Sequence, residues 1–568
     1  MNHTPDSIVS SPRRSSLRMW LPLLLLLPIY GIGCFARVAW TPDEPREMAI
    51  IANMSAVGAN HYIPQLGKSD FCEKPPLYYW AGAACVQVFG RNEMAARLPN
   101  LLSVTAVVVS TALLGEAMMG WLAGFIAACI MGTAVLAVQI GIWSITDGML
   151  LGLTGLALLG AYRGLIAMTT GKKLAWYAFM HVCLGLGILT KNIVILIVPL
   201  SAWGCACLFG GRRRELFHLA FHAGWILQGL VVAPWVIGVA NSPGGHDLLV
   251  KFFFENLLGR FAPTVGGAYS HGHRHWFGKY LIEMPYYLMP WTPLVAIGSW
   301  RFWKSRGTSS EGGKSDTLSW WFLLGSVVPP LLIFSLSATK REIYCGPVLI
   351  GLAVITGIGI VRTWEVKPRA VTLALRISTL SVCTAALVAA LVAIWIPWHF
   401  AIGSWTTSVI PATVAILGGI VLGTLALRCI TGGDLWAAMC CQIGLLSLTV
   451  VSAGWSLVQT ANSTQDHRLV ASQIVMAVGQ RQLALYRPDE TTIGMLDFYA
   501  GLKPDVIDDE TALARYITNH PDVVVLAVSK RRATNEAPSA LDQPPFSQVC
   551  QVTLPLGRIY SLYSPQRN

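Results

Sequence analysis

Carboxylates and cations recur beside one another in this sequence, and they do so at the ends of long apolar runs. Asp43, Glu44 and Arg46 stand in Thr41-Pro42-Asp43-Glu44-Pro45-Arg46-Glu47, directly after such a run. Glu73 and Lys74 stand in Phe71-Cys72-Glu73-Lys74-Pro75-Pro76. Asp147, Lys191, and Lys340 with Arg341 and Tyr344 lie at the ends of later runs. Lysine, arginine and a tyrosine hydroxyl all donate to phosphate oxygens. A carboxylate nearby can take the proton of an attacking hydroxyl. Together these residue types fit transfer of a group held through a phosphate. Asp43 follows Pro42 immediately after a run, which keeps it close to the run's end. It also reads as the N-cap of the next helix, with Arg46 or Glu47 completing the turn. Capping and catalysis are compatible. Glu44, Arg46 and Asp147 are expected to position substrate; a structural or solvated role is the alternative for Glu44 and Glu47. For the cations the alternative is local pairing, such as Lys191 with Asp147.

A second cluster is Ser270-His271-Gly272-His273-Arg274-His275-Trp276. Alternating histidines can ligate a divalent metal such as zinc, with Glu73 as a further ligand. An exposed, metal-free turn has the same pattern. Upstream, Phe252-Phe253-Phe254-Glu255-Asn256 with Arg260 reads as an interfacial helix whose aromatics suit lipid contact.

The elements that must hold these residues are membrane spans. Of 568 residues, 54% are hydrophobic and 12% charged, against about 25% charged in soluble proteins. The apolar residues fall in blocks of roughly 17 to 25, the length that crosses hydrocarbon. Hydropathy places about thirteen spans, centred near residues 28, 107, 130, 157, 183, 200, 230, 292, 328, 353, 385, 418 and 446. The first, within Met19–Trp40, follows Arg13, Arg14 and Arg18 and lacks a small-residue cleavage pattern, so it reads as uncleaved.

With the N-terminus inside, the basic loops at Lys172-Lys173, Arg212–Arg214, Arg301–Lys314, Arg362–Arg369 and Arg428 all fall on the cytoplasmic side. The net charge of +12 is thereby explained without nucleic acid. Lys191, Lys340 and Arg341 break the rule, because they fall on the outer face. An anionic ligand there gives a reason for them.

The chain therefore divides into a cytoplasmic tail (1–18), a transmembrane domain (19–458) and an extracytoplasmic α/β domain (459–568). The last is read from apolar runs at Leu483–Tyr486, Val523–Val528, Val549–Leu554 and Ile559–Tyr563, with a polar helix at Glu510–His520. The expected fold is an α-helical polytopic membrane protein with outer interfacial helices and a small C-terminal α/β domain. Two outer loops, 41–97 and 241–284, are too long for simple turns. Helical stretches at Glu44–Val57 and Leu77–Phe89 are expected to lie along the membrane surface. Most of the 13 cysteines sit inside apolar runs as small hydrophobes. Cys72, Cys345 and Cys550 are placed near the outer face, and nothing in the sequence specifies a disulfide among them.

The pattern Asp43-Glu44-x-Arg46, then Phe71-x-Glu73-Lys74-Pro75-Pro76-Leu77-x-Tyr79-Trp80, then Phe89-Gly90-x-Asn92-Glu93-x-Ala95-Ala96-Arg97-Leu98-Pro99, resembles the C-type membrane glycosyltransferases. The branch it resembles holds the bacterial lipid A aminoarabinose transferase and the protein O-mannosyltransferases. The likeness runs on through Asp147, Leu189-Thr190-Lys191, Phe334-Ser335, Lys340, Tyr344 and Pro347, over about residues 20 to 360. It implies that Asp43 is the catalytic carboxylate. It implies that Lys74, Lys191, Tyr344 and one of Lys340 or Arg341 hold the phosphate of a polyprenyl-phosphate sugar. Glu73 and His273 match positions associated with a metal, although Trp276 stands where the family has proline. The family often has Tyr where this chain has Glu47.

The resulting expectation is an inverting glycosyltransferase in the inner membrane, with its C-terminus extracytoplasmic and its site on the outer, periplasmic face. It takes a polyprenyl-phosphate sugar and modifies a membrane lipid such as lipid A, a protein (as in O-mannosylation) or a glycan. Bilayer lipids are its other partners. A transporter or flippase of an anionic lipid-linked substrate is the rival reading. It calls for charges near the bilayer centre and is often built from inverted repeats; few such charges and no repeats stand out. A scaffold without turnover gives paired acids and bases no purpose.

Overall fold

The computed structural model describes residues 17–71, 73–255, 275–305, 313–364, 369–400, 405–530, 541, 546–554 and 558–565. It divides into two compact units. The first comprises residues 1–33, 100–142 and 146–456; the second comprises 34–99, 143–145 and 457–568.

The first unit is helical, because its long Leu-, Val-, Ala- and Ile-rich runs satisfy their backbone internally in hydrocarbon only as helices. Among the described residues, ten helices are long and apolar enough to cross a membrane, and a pair bent by 62°, Trp121–Thr133 with Val135–Ile142, makes an eleventh. Ile193–Phe209 is apolar but shorter, and Thr292–Lys304 has 13 residues. Each of the expected centres falls in one of these helices. Fewer helices than expected pass as spans because of length, since 13 residues of helix rise only about 20 Å.

The bend has a local cause. Ala134 leaves the helix at φ −62°, ψ 137°. The backbone N–H freed there finds a partner: Val135 N–H donates to the Met289 carbonyl at 3.0 Å. Beside it, Trp291 Nε1 donates to the Thr133 hydroxyl at 2.8 Å. The segment Glu342–Trp364 is buried over 89% of its apolar window and Leu219–Ala240 over 22%. The first is central to this unit and the second peripheral.

The second unit holds a two-stranded hairpin, β1 (Gln65–Leu66) and β2 (Ser69–Asp70), and a five-stranded sheet in the order β4-β3-β5-β7-β6. Its strands are β3 (Leu483–Tyr486), β4 (Asp505–Ile507), β5 (Val524–Lys530), β6 (Phe546–Thr553) and β7 (Arg558–Pro565). β3 pairs parallel with β4 and β5, while β7 pairs antiparallel with β5 and β6. Side chains alternate across a strand, so Leu485, Leu526 and Leu562 enter one core and Ala484, Val525 and Tyr563 the other. β4 is the strand the apolar runs did not announce, because it has three residues, one of them Asp505.

Helices α1 (Glu44–Met54) and α2 (Leu77–Phe89) belong to this unit, as do α3 (His467–Val478) and α4 (Glu490–Ala500). The structure differs here from the expected surface helix: every residue of α1 is buried. Its polar side chains are all paired, and it packs on α4. Gly494 makes that packing close, because a Cβ there would come within 2.6 Å of the Pro45 carbonyl. Asn53 Nδ2 then donates to Asp497 Oδ2 at 2.7 Å. The described cysteines are all free thiols, with Cys345 buried and Cys550 half-buried; Cys72 lies outside the described residues.

Candidate active site

The second unit places Asp43, Arg46, Glu47 and Lys74 together. α1 begins at Glu44 with Pro45 in its first turn, and Asp43 is the flanking residue. Its side chain makes no capping bond there, so capping does not account for it. Arg46 Nη2 donates to Asp43 Oδ1 at 3.1 Å and to Glu47 Oε1 at 2.7 Å. Arg46 Nη1 donates to Glu490 Oε2 at 2.5 Å, and the guanidinium lies 5.6 Å from the Phe71 ring centroid. Lys74 Nζ donates to Glu47 Oε1 at 2.5 Å, and Tyr79 Oη to Glu47 Oε2 at 2.8 Å. Burial pushes the Glu47 carboxyl up, but Lys74 and Arg46 outweigh it and hold Glu47 below its ordinary range. Asp43 itself is only 7% exposed.

One turn away the chemistry is closed. Glu44 accepts from Arg97 Nε and Nη2, both at 2.8 Å, from Arg37 Nη2 at 3.2 Å, and from the backbone of Trp40 and Ser144, both at 2.9 Å. Burial raises its carboxyl, yet Arg97 and Arg37 bring it down to about 2. Arg97 also donates to the carbonyls of Arg37 and Val38 at 2.6 and 2.8 Å. Glu44, expected to position substrate, has its oxygens engaged by these donors and ties the segment 37–40 to Arg97. This geometry is that of a framework.

The first unit carries the other cluster. Asp147 lies in the first turn of the helix Thr146–Ile166, and Lys191 closes the helix Thr170–Thr190. Lys191 Nζ donates to Asp147 Oδ1 at 2.5 Å and sits 4.5 Å from the Tyr344 ring centroid, within cation–π range. All three line a cavity whose other walls include Leu150, Ile195 and Phe334. Thr339 also lines it, and its buried hydroxyl has no hydrogen-bond partner among the described residues. A largely apolar chamber with a cation, four hydroxyl-bearing residues and a carboxylate suits an amphipathic anion.

This architecture has known counterparts. The solved structure of ArnT from Cupriavidus metallidurans bound to undecaprenyl phosphate aligns with a TM-score of 0.68 at 19% identity, over 97% of this chain and 98% of that one. Its apo form aligns at 0.68 and 17%, over 95% and 97%. At those identities the likeness is one of fold. A family model described as dolichyl-phosphate-mannose-protein mannosyltransferase matches residues 73–237. The undecaprenyl phosphate-alpha-4-amino-4-deoxy-L-arabinose arabinosyl transferase of Enterobacter sp. (strain 638) is 26% identical over 442 residues, 75% of this chain and 73% of that protein. The chain is a glycosyltransferase similar to the C-type membrane enzymes. A transferase of the same name from Photorhabdus laumondii is 27% identical over 343 residues, a match that spans 59% of this chain and 57% of that protein.

In this glycosyltransferase, the remaining expected residues are placed as follows. Neither Lys340 nor Arg341 is among the residues lining the cavity. Lys340 is buried, and its ammonium donates to the carbonyls of Ser337 at 2.5 Å and His275 at 3.0 Å. Burial and the neighbouring Lys279 push it below the usual lysine range. Arg341 is half-buried, and its carbonyl accepts from Tyr280 Oη at 3.1 Å. Glu73 is half-buried beside Arg46 and Tyr79. His273 lies outside the described residues. Among the described residues, no group of three or more His, Cys, Asp or Glu side chains converges as metal ligands.

Sequence reasoning gave no role to Tyr79, Arg97, Thr339 or Glu490. Tyr79 and Arg97 stood inside the quoted motifs, so the signal was present. Thr339 and Glu490 are ordinary polar residues whose importance comes from the fold.

Proposed function

We propose that the enzyme transfers a sugar from a polyprenyl-phosphate donor to an envelope acceptor at the outer face of the bacterial inner membrane. The observation that carries this reading is the first unit's cavity, which joins apolar walls to Lys191, Tyr344 and the Thr339 hydroxyl, which has no partner among the described residues. A prenyl phosphate has the matching form, an apolar chain ending in an anion. The relatives named for undecaprenyl phosphate-linked aminoarabinose, and the ArnT structure with undecaprenyl phosphate bound, support undecaprenyl phosphate as the lipid carrier. They also support a lipid A-like glycolipid as acceptor; a protein or glycan is the other class.

In this reading Lys191 and Tyr344 hold the donor phosphate, and Asp147 orients Lys191. Lys74 and Arg341 complete the phosphate contacts, because the Lys340 ammonium is already held by the Ser337 and His275 carbonyls. Cations placed where charge develops stabilise the departing phosphate. Asp43 takes the proton of the acceptor nucleophile, and Arg46 fixes the Asp43 carboxylate. The acceptor oxygen forms its bond to the anomeric carbon as the bond to the phosphate oxygen breaks on the opposite face, so configuration inverts. The N-terminus is cytoplasmic and the C-terminal residues 459–568 are extracytoplasmic. Glu73 and His273 are proposed metal ligands, with zinc as the candidate ion.

Purified protein in lipid nanodiscs, given radiolabelled polyprenyl-phosphate sugars with a lipid or a protein acceptor fraction, tests the reading. Asp43→Ala is expected to cut turnover by about 10² to 10⁴-fold with unchanged expression, and Lys191→Met to raise the donor KM. Full transfer by Asp43→Ala sinks the role given to Asp43. Label reaching only the protein fraction overturns the lipid acceptor. Activity unchanged by EDTA, with no metal found by mass spectrometry, removes Glu73 and His273 as ligands.

A further inference from the structure

Glu47 is the most enclosed carboxylate beside Lys74, and it has more cationic partners than its charge requires. Its side chain is 0% exposed. Oε1 accepts from Lys74 Nζ at 2.5 Å and from Arg46 Nη2 and Nε at 2.7 and 3.1 Å, and Oε2 accepts from Tyr79 Oη at 2.8 Å. These partners differ in how firmly they are held. Arg46 lies within α1, tied to Asp43 and Glu490 and set against the Phe71 ring. Tyr79 is buried within α2. Lys74 lies on the irregular connection ahead of α2, and its side chain is 13% exposed. If Lys74 turns away, Glu47 keeps the two Arg46 bonds and the Tyr79 bond. The buried charge is then never left unpaired, which is the situation that makes breaking a buried ion pair costly.

We propose that Glu47 is an internal counter-anion: it occupies the Lys74 ammonium in the resting enzyme, yields it to the donor phosphate, and retakes it as the product phosphate leaves. The proposal rests on the reading that Lys74 holds the donor phosphate. Glu47 is thereby a positioning residue acting through Lys74. The groups around the exchange are Asp43, Arg46 and Glu490, with Glu73 beside Arg46 and Tyr79. No covalent step is involved; one anion replaces another at the same ammonium.

The sign of the effect separates this role from a structural one. The full chain in nanodiscs is titrated with undecaprenyl phosphate. Glu47→Gln keeps the shape and removes the competing charge, so binding is expected to tighten about tenfold, the size of one charge-assisted hydrogen bond. Donor KM falls with it, and kcat falls because product leaves more slowly. The tightening disappears in Glu47→Gln/Lys74→Ala. Tyr79→Phe is expected to act oppositely: deprived of the hydroxyl, Glu47 holds Lys74 harder, and binding weakens about threefold.

Unchanged or weaker binding by a Glu47→Gln protein that melts like the wild type overturns the proposal. If Glu47→Gln does not fold, Tyr79→Phe decides: weaker binding supports the proposal and equal or tighter binding overturns it. If Lys74→Ala alone leaves binding untouched, the parent reading of Lys74 fails. If Lys74→Ala weakens binding while Glu47→Gln does not tighten it, only the counter-anion role fails.

Discussion

Glu44 and Glu47 lie one turn apart on the same buried helix, and both are held below the ordinary carboxylate range. Their surroundings separate them. Glu44 is enclosed by Arg37, Arg97 and two backbone N–H groups, and both arginine side chains are 1% exposed. Glu47 shares Arg46 with Asp43 and Glu490, and its other cation, Lys74, is 13% exposed. A depressed carboxylate therefore does not by itself mark a working site. A working charge has a partner exposed enough to leave, and other partners that remain; the partners of a framework charge are all enclosed.

The largest effect that sharpens this contrast is expected at Glu44. Glu44→Ala leaves Arg37 and Arg97 facing each other in a buried space, and removal of one side of such a pair costs about 3 to 5 kcal/mol. Thermal unfolding of the detergent-solubilised protein should show a correspondingly large loss of stability. The Lys74→Ala protein should melt close to wild type, because its loss leaves Glu47 paired to Arg46 and Tyr79. Equal destabilisation by the two substitutions breaks the distinction.

Acid provides a second, somewhat smaller, test. The Glu44 carboxyl moves from an ordinary 4.5 to about 2 in the folded protein. A depressed folded value means stabilisation that is complete above the unfolded value and lost as pH falls through the folded one. The span corresponds to about 3 kcal/mol. Melting temperature should accordingly hold steady from pH 7 to 5 and drop between pH 4.5 and 2. Glu44→Gln should flatten much of that drop; a Glu44→Gln protein with the wild-type acid profile shows that Glu44 is not its source.

The sequence made the same contrast only half visible. Span positions were legible because hydrocarbon demands long apolar helices, and each expected centre lies in a helix. The helix bend at Ala134 was not, since it depends on a carbonyl partner from a distant residue. Lys191 beside Asp147 was foreseeable as a pair of opposite charges at the ends of runs. The burial of α1 was hidden. Its charged residues look like a solvated face until Arg97, Lys74 and Glu490 arrive from elsewhere in the chain to neutralise them. Lys340 was legible as an out-of-place cation, but its carbonyl partners at Ser337 and His275 are set by the backbone path. Charge pattern finds the residues; only the fold tells which of them are already satisfied.

The smallest expected effect comes from an ion pair that belongs to neither class. Lys68, at the turn of the β1–β2 hairpin, reaches Asp505 at the start of β4 at 2.5 Å, with the two side chains 56% and 37% exposed. The Lys68 hydrogen bond is the first cause holding Asp505 low, followed by that of Tyr516. Solvent screens such a pair, and exposed pairs contribute about 0.5 kcal/mol or less. Asp505 also keeps the Tyr516 hydroxyl at 2.7 Å when Lys68 is gone. Lys68→Ala is therefore expected to shift the melting temperature very little, and the residual shift should shrink further at high salt. A loss from Lys68→Ala rivalling that from Glu44→Ala contradicts the rule drawn from α1, because distance alone, rather than enclosure, would then decide what an ion pair is worth in this protein.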